Sequence, residues 1–186
     1  MLKSLIYFIF LLFFTGCSIK YDSVTMNKQN QIVVLKVDTE TQNNINTLSK
    51  QIQDISTTIS NTEASDLSFR TTYYAMVLAN QYDLMAPALY QNYLVNQKQR
   101  ERGLCYHWVT DIVKYLQNYN YKTLSIYKVV ANKGKYNEHN AISVTAKDYP
   151  YDNAILLDAW RNSGKLFFIP IKNDTRYKWK LRRKIQ

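Results

Sequence analysis

The chain opens with Lys3 and an unbroken apolar run from Leu5 to Phe14, closed by Thr15-Gly16-Cys17. That run is too short and too close to the terminus for an ordinary transmembrane helix and has the make-up of an export signal. Ser18 to Asn30 is polar and reads as a tether, and Ile32 to Val37 as a short strand. Ile45, Leu48, Ile52, Ile55 and Ile59 then alternate in steps of three and four, which predicts a helix. The stripe spans only about two heptads, so it fits a helix packed on its own domain better than a dimer seam. Ser60-Asn-Thr-Glu63 has the spacing of a capping box and opens a second helix, from about Thr62 to Leu84, with Pro87 as its stop. After the charged turn Arg100 to Gly103, the stretch Cys105 to Leu116 is amphipathic. Cys105, Trp108, Val109, Ile112 and Leu116 share one helical face, and His107, Asp111, Lys114 and Asn118 the other.

From residue 123 the period changes from helix to strand. Thr123 to Val130 is rich in β-branched residues, and His139 to Ala146 alternates with period two. Ile155 to Trp160 and Lys165 to Ile169 follow, with turn residues between them. Helices first and strands second predict an α+β domain, its N-terminal helices packed on an antiparallel sheet. The division expected is a signal over 1–16, a tether and short strand over 17–40, and one domain over 41–186. The basic C-terminus alternates Tyr177, Trp179 and Leu181 with Lys178, Lys180 and Arg182, as an edge strand with a charged outer face does.

Composition removes whole classes of function. Four glycines cannot assemble a Gly-rich phosphate loop, and two cysteines with two histidines supply neither a disulfide scaffold nor a Cys/His-rich zinc site. No cofactor is expected. The chain carries a net charge of +10, and its strongly basic C-terminus, Arg176 to Lys184, permits contact with anionic lipid or an acidic cell-wall polymer.

Phe14-Thr15-Gly16-Cys17 resembles a bacterial lipoprotein signal, which implies cleavage before Cys17, acylation of its sulfur and a lipid anchor in the membrane. Lipoprotein sorting, with Ser18 next to the anchor, would imply the outer membrane facing the periplasm. Export disfavours a nucleic-acid partner. Acylation of Cys17 would leave Cys105 as the free thiol of an exported protein, where a thiol is buried or used.

Cys105, His139 and Asp158 occur in a chemically sensible order, each near one of Gly103, Gly134 and Gly164. The positive end of a helix dipole favours a thiolate at the helix start. A His within reach would pair with it and protonate a leaving group, and a carboxylate beyond the His would fix its tautomer. The N–H of Cys105 supplies half of an oxyanion hole, with Asn92, Asn96 and Gln97 as candidates for the other donor. His107 is turned about 200° from Cys105 on the helix and is expected to pair with Asp111 at i+4. That angle also disfavours a metal site built from Cys105, His107, His139 and Asp158.

Gly103-Leu-Cys105 opening a helix, His139-Asn-Ala at a strand start and Leu157-Asp158-Ala-Trp160 in the next strand resemble the transglutaminase-like cysteine hydrolases. The resemblance covers about residues 63–170. It implies a papain-like arrangement, with Cys105 as nucleophile, His139 as base and Asp158 orienting it, acting on amide bonds of a protein or a peptidoglycan peptide. The family's Trp soon after the His and Pro after the Asp are Ala141 and Ala159 here. A non-catalytic binding or structural envelope lipoprotein that keeps the same fold is the alternative.

Overall fold

The computed structural model describes residues 16–186. The apolar run Leu5 to Phe14, expected to be an export signal, lies outside the described residues. The described residues form a mixed α+β structure with four α-helices and antiparallel sheets.

Strand β1 is Cys17–Ser18, β2 Val24–Met26 and β3 Ile32–Val34; helix α1 is Thr39–Gln53 and α2 Asn61–Gln81. Strand β4, Met85–Ala86, precedes α3, Ala88–Asn96, and α4, Cys105–Leu116. The large sheet follows with β5 Leu124–Ala131, β6 His139–Ala146, β7 Ile155–Asn162, β8 Lys165–Pro170 and β9 Trp179–Lys184. Its spatial order is β8-β7-β6-β5-β9, with every pairing antiparallel. After β8 the chain therefore crosses from one edge of the sheet to the other before adding β9.

The helices bury their apolar sides against one face of this sheet. Leu67 and Leu78 of α2, Trp108, Ile112 and Leu116 of α4, and Ile126, Ile142 and Val144 of the sheet form a continuous core. A smaller cluster on Tyr127, Val129, Ala141, Leu156 and Ile171 packs with Phe167 and Trp179. Ile171 and Trp179 bring the β8–β9 crossover and the start of β9 into that cluster.

Two helix starts have clear causes. Asp38 caps α1 by accepting from Thr41 N at 2.8 Å. Ser60 caps α2 by accepting from Glu63 N at 3.4 Å. The capping box is only half made: the Glu63 carboxylate reaches across to Lys122 N and Thr123 N instead, tying the head of α2 to the approach to β5.

The N-terminal segment departs from the tether expected of it. Strands β2 and β3 pair as a hairpin, and Val24 of that hairpin packs with Ile45 of α1 and with Tyr73, Met76 and Val77 of α2. Strand β1 pairs with β4, Tyr21 N donates to the Asn80 side chain at 2.8 Å, and Tyr21 Oη donates to Ser163 O at 2.9 Å. Polar residues such as Asn27 and Gln31 make the segment hydrophilic, but Ile19, Tyr21, Val24, Met26 and Ile32 pack on the body, while Leu35 and Val37 beyond β3 are exposed.

The isoleucine stripe also divides. Ile45, Leu48 and Ile52 are buried from α1, which ends at Gln53, while Ile59 is buried from the following turn. Helix α2 stops at Gln81, well before Pro87, which does not end it and instead sits at the N-cap of α3.

Candidate active site

Helix α4 begins at Cys105, and the loop before it is fixed from three sides. Gly103 has φ +130°, a left-handed value, and a Cβ there would overlap the Gln91 side chain. Gln91, fully buried, accepts from Met85 N and donates to Arg102 O at 2.8 Å. Trp108 Nε1 donates back to Gly103 O at 2.9 Å. Gly134 has open space around it and Gly164 packs on Ala79 and Tyr21, so among the three glycines Gly103 is the one that shapes the site.

His107 does not pair with Asp111. Its Nδ1 accepts from Gly103 N at 3.1 Å and Leu104 N at 3.3 Å, satisfying N–H groups at the start of α4. Asp111 is taken by Arg102, at 2.8 Å to each oxygen, and by Tyr82 Oη at 2.6 Å. Burial, with the Arg102 charge beside it, lowers the His107 pKa, so the ring is held as the neutral acceptor this role needs.

His139 opens β6, and Asp158 stands in the adjacent strand β7. The two are 3% and 2% exposed. His139 Nε2 meets Asp158 Oδ2 at 2.7 Å. The register of β7 on β8 slips between Asp158 and Asn162, and this irregularity turns two backbone N–H groups toward the carboxylate. Trp160 N and Arg161 N each donate to Oδ1 at 3.1 Å, and Arg161 Nε donates to Oδ2 at 3.1 Å. An acid inside an apolar run is thus fully hydrogen-bonded.

The thiol of Cys105 is near enough to the same imidazole to act on its charge, with no direct Cys105–His139 hydrogen bond among the described residues. Since Nε2 is engaged by Asp158, Nδ1 is the nitrogen left for sulfur. Burial alone would drive His139 toward its neutral form. The Asp158 hydrogen bond and the charges of Asp158 and Cys105 outweigh that and push the imidazole up from 6.5 to about 9. Around the sulfur, Sγ approaches Glu138 O and Asn140 Nδ2, each at 3.9 Å. Cys105 N has no acceptor among the described residues, so that N–H is free at the helix start.

The sequence reading missed the aromatic box around His139. Trp160, Tyr177 and Trp179 place ring centroids 4.8, 4.7 and 5.4 Å from the imidazole. Tyr177 arrives on the β8–β9 crossover, which is locked by Asp174: its carboxylate accepts from Arg161 Nη2 at 2.7 Å and from Trp179 Nε1 at 2.9 Å. The period-two pattern over 177–181 signalled the strand; that its aromatic residues cover His139 depends on the crossover. Trp160 Nε1 donates to Asn92 Oδ1 at 3.0 Å, which brings Asn92 to the site. Among the described residues no contact joins Asn96 or Gln97 to these side chains.

Compared with known proteins, the chain matches no family model, no curated protein and no solved structure.

Proposed function

We propose that this chain is an envelope lipoprotein, anchored through Cys17 to the outer membrane and facing the periplasm, with a papain-like, transglutaminase-like cysteine hydrolase domain. Cys105, His139 and Asp158 cleave or transfer an amide in a protein or peptidoglycan peptide. The observation that carries this reading is one buried imidazole bonded to a saturated carboxylate and close to the only described thiol other than Cys17.

In the first half-reaction Sγ forms a bond to the amide carbonyl carbon. The oxyanion accepts from the free N–H of Cys105, and Asn92, which bonds Trp160 at the site, is the candidate for a second donor. The His139 imidazolium then gives its proton to the leaving nitrogen as the C–N bond breaks, leaving a thioester and a free amine. In the second half-reaction the neutral imidazole takes a proton from water, or from an acceptor amine. The new bond to the carbonyl carbon releases the thiolate and restores the ion pair. Asp158 holds the ring so that Nδ1 faces sulfur.

The test is to incubate the protein with cell-wall peptide fragments and unrelated peptides, quench in acid and weigh it. A thioester adduct on Cys105, absent in Cys105→Ala and His139→Ala, is expected. No adduct with any amide or activated ester, in a protein that still binds the fragments, would instead make it a binding lipoprotein.

A further inference from the structure

A groove of about 300 Å³ adjoins the thiol. It is lined by Tyr106, Val109 and Thr110 of α4 and by Lys128, Glu138 and Arg182. Asn140 lines both this groove and the small cavity that holds Cys105, so the two are one side chain apart.

The charge arrangement in this groove is not explained by folding. Lys128 on β5 stands directly opposite Arg183 on β9, and like charges opposite one another destabilise a sheet. The register of β5 on β9 also slips between Lys128 and Val129, leaving Arg182 as an extra residue. A bulge of this kind re-aims a side chain, and here it brings Arg182 to the same groove. Arg182 Nη1 bonds Glu138 Oε1 at 2.6 Å and Asn140 Oδ1 at 2.8 Å. Glu138 is the groove's one acid. It is held down to about 2 by Gly134 N and Arg182, so it stays charged and committed to them. Lys128 is half-buried and has no partner among the described residues. Burial, then the charges of Arg183 and Arg182, lower its pKa. Two cations, Lys128 and Arg182, thus line the groove with one acid already taken by Arg182, and a third, Arg183, stands opposite Lys128 on the neighbouring strand.

We infer that this groove is a subsite for an anionic group, and that the preferred substrate is an acidic peptide with a carboxylate flanking the scissile amide. This deepens the proposed hydrolase reading and rests on it. A carboxylate seated in the groove against Lys128 offsets the repulsion that Lys128 meets from Arg182 and Arg183, and Arg182, positioned by Glu138, offers further N–H donors to it. Seating the anion there lays the adjoining amide along Asn140 toward Sγ.

Three methanethiosulfonates of similar reach distinguish the claims: an anionic sulfonatoethyl, a cationic trimethylammonioethyl and a neutral ethyl reagent. Each transfers its thio group to Sγ with release of methanesulfinate, and the Cys105 peptide is followed by mass so that Cys17 does not interfere. The anionic reagent is expected to react fastest at low salt. Its rate relative to the neutral reagent should fall roughly threefold to tenfold in Lys128→Gln and in Arg182→Gln, and as salt rises. An anionic-to-neutral ratio unchanged in both variants would overturn the subsite. A neutral-reagent rate at wild-type Cys105 no greater than in the unfolded chain would instead count against the hydrolase reading, whatever the ratio shows. Lys128→Gln removes no native bond among the described residues, so it remains informative if Arg182→Gln loosens β9.

Discussion

The two histidines of this chain are held in opposite protonation states, and their effects on stability have opposite signs. His139 is raised from 6.5 to about 9, so its contribution is complete below 6.5 and is lost as pH rises through about 9. His107 is lowered from 6.5, so its contribution is complete above 6.5 and is lost as pH falls through its folded value. Urea midpoints across pH should therefore lose an acid-side component in His107→Ala and an alkaline-side component in His139→Ala; an unaltered profile in either would refute that assignment. At neutral pH, His107→Ala should cost about 1 kcal/mol, as for other lost helix caps. Turnover should fall above about pH 9 as the imidazolium that protonates the leaving group disappears. Asp158→Asn should lower turnover more than binding, because it releases the ring's orientation.

At the level of elements, the site is assembled from the start of α4, the start of β6, the irregular middle of β7 and the crossover into β9. Gly103→Ala forces a side chain into a left-handed backbone position against Gln91. It should cost about 1–3 kcal/mol and slow Cys105 chemistry, read from melting and from labelling of the Cys105 peptide. Asp174→Asn breaks a buried ion pair with Arg161 and weakens the acceptor for Trp179. A loss of the order of 3 kcal/mol is expected, with His139 becoming more open to solvent; an unshifted denaturation midpoint would show that the crossover is not locked there. Helix α4 and strands β5 to β9 were legible in the sequence because each carries its own period. The order Cys105, His139, Asp158 was legible because each sits at a recognisable start or inside an apolar run. Helix α3 was not, since Pro87 reads as a stop when it sits at the N-cap of α3. The His107 partner was missed because i+4 spacing pointed to Asp111, and the nearer competitors Arg102 and Tyr82 become neighbours only through folding. The aromatic box was missed for the same reason: Tyr177 lies 38 positions from His139 and meets it only once β8 and β9 occupy opposite edges.

Across the whole molecule, the segment after Cys17 is stitched to the body instead of spacing it from a membrane. Ile19 N donates to Leu84 O at 2.8 Å, and β1 pairs with β4 immediately before α3. A lipid on Cys17 would hold the domain close to the bilayer, with the β1–β4 ladder beside the anchor. Cys17→Ser should release the protein from membranes and remove the lipid mass, and residues 17–34 should resist proteolysis in the released form. Retention of the variant in the membrane, with its mass changed only by the substitution, would contradict the anchor. The central claim, that Cys105, His139 and Asp158 act as one unit, is tested most directly by the rate at which neutral iodoacetamide alkylates Cys105 at neutral pH. Cys105, though half-buried, is expected to react faster in the native protein than in the urea-unfolded chain, and at least about tenfold more slowly in native His139→Ala than in native wild type. A native Cys105 that reacts more slowly than the unfolded thiol, at the same rate with and without His139, would contradict it.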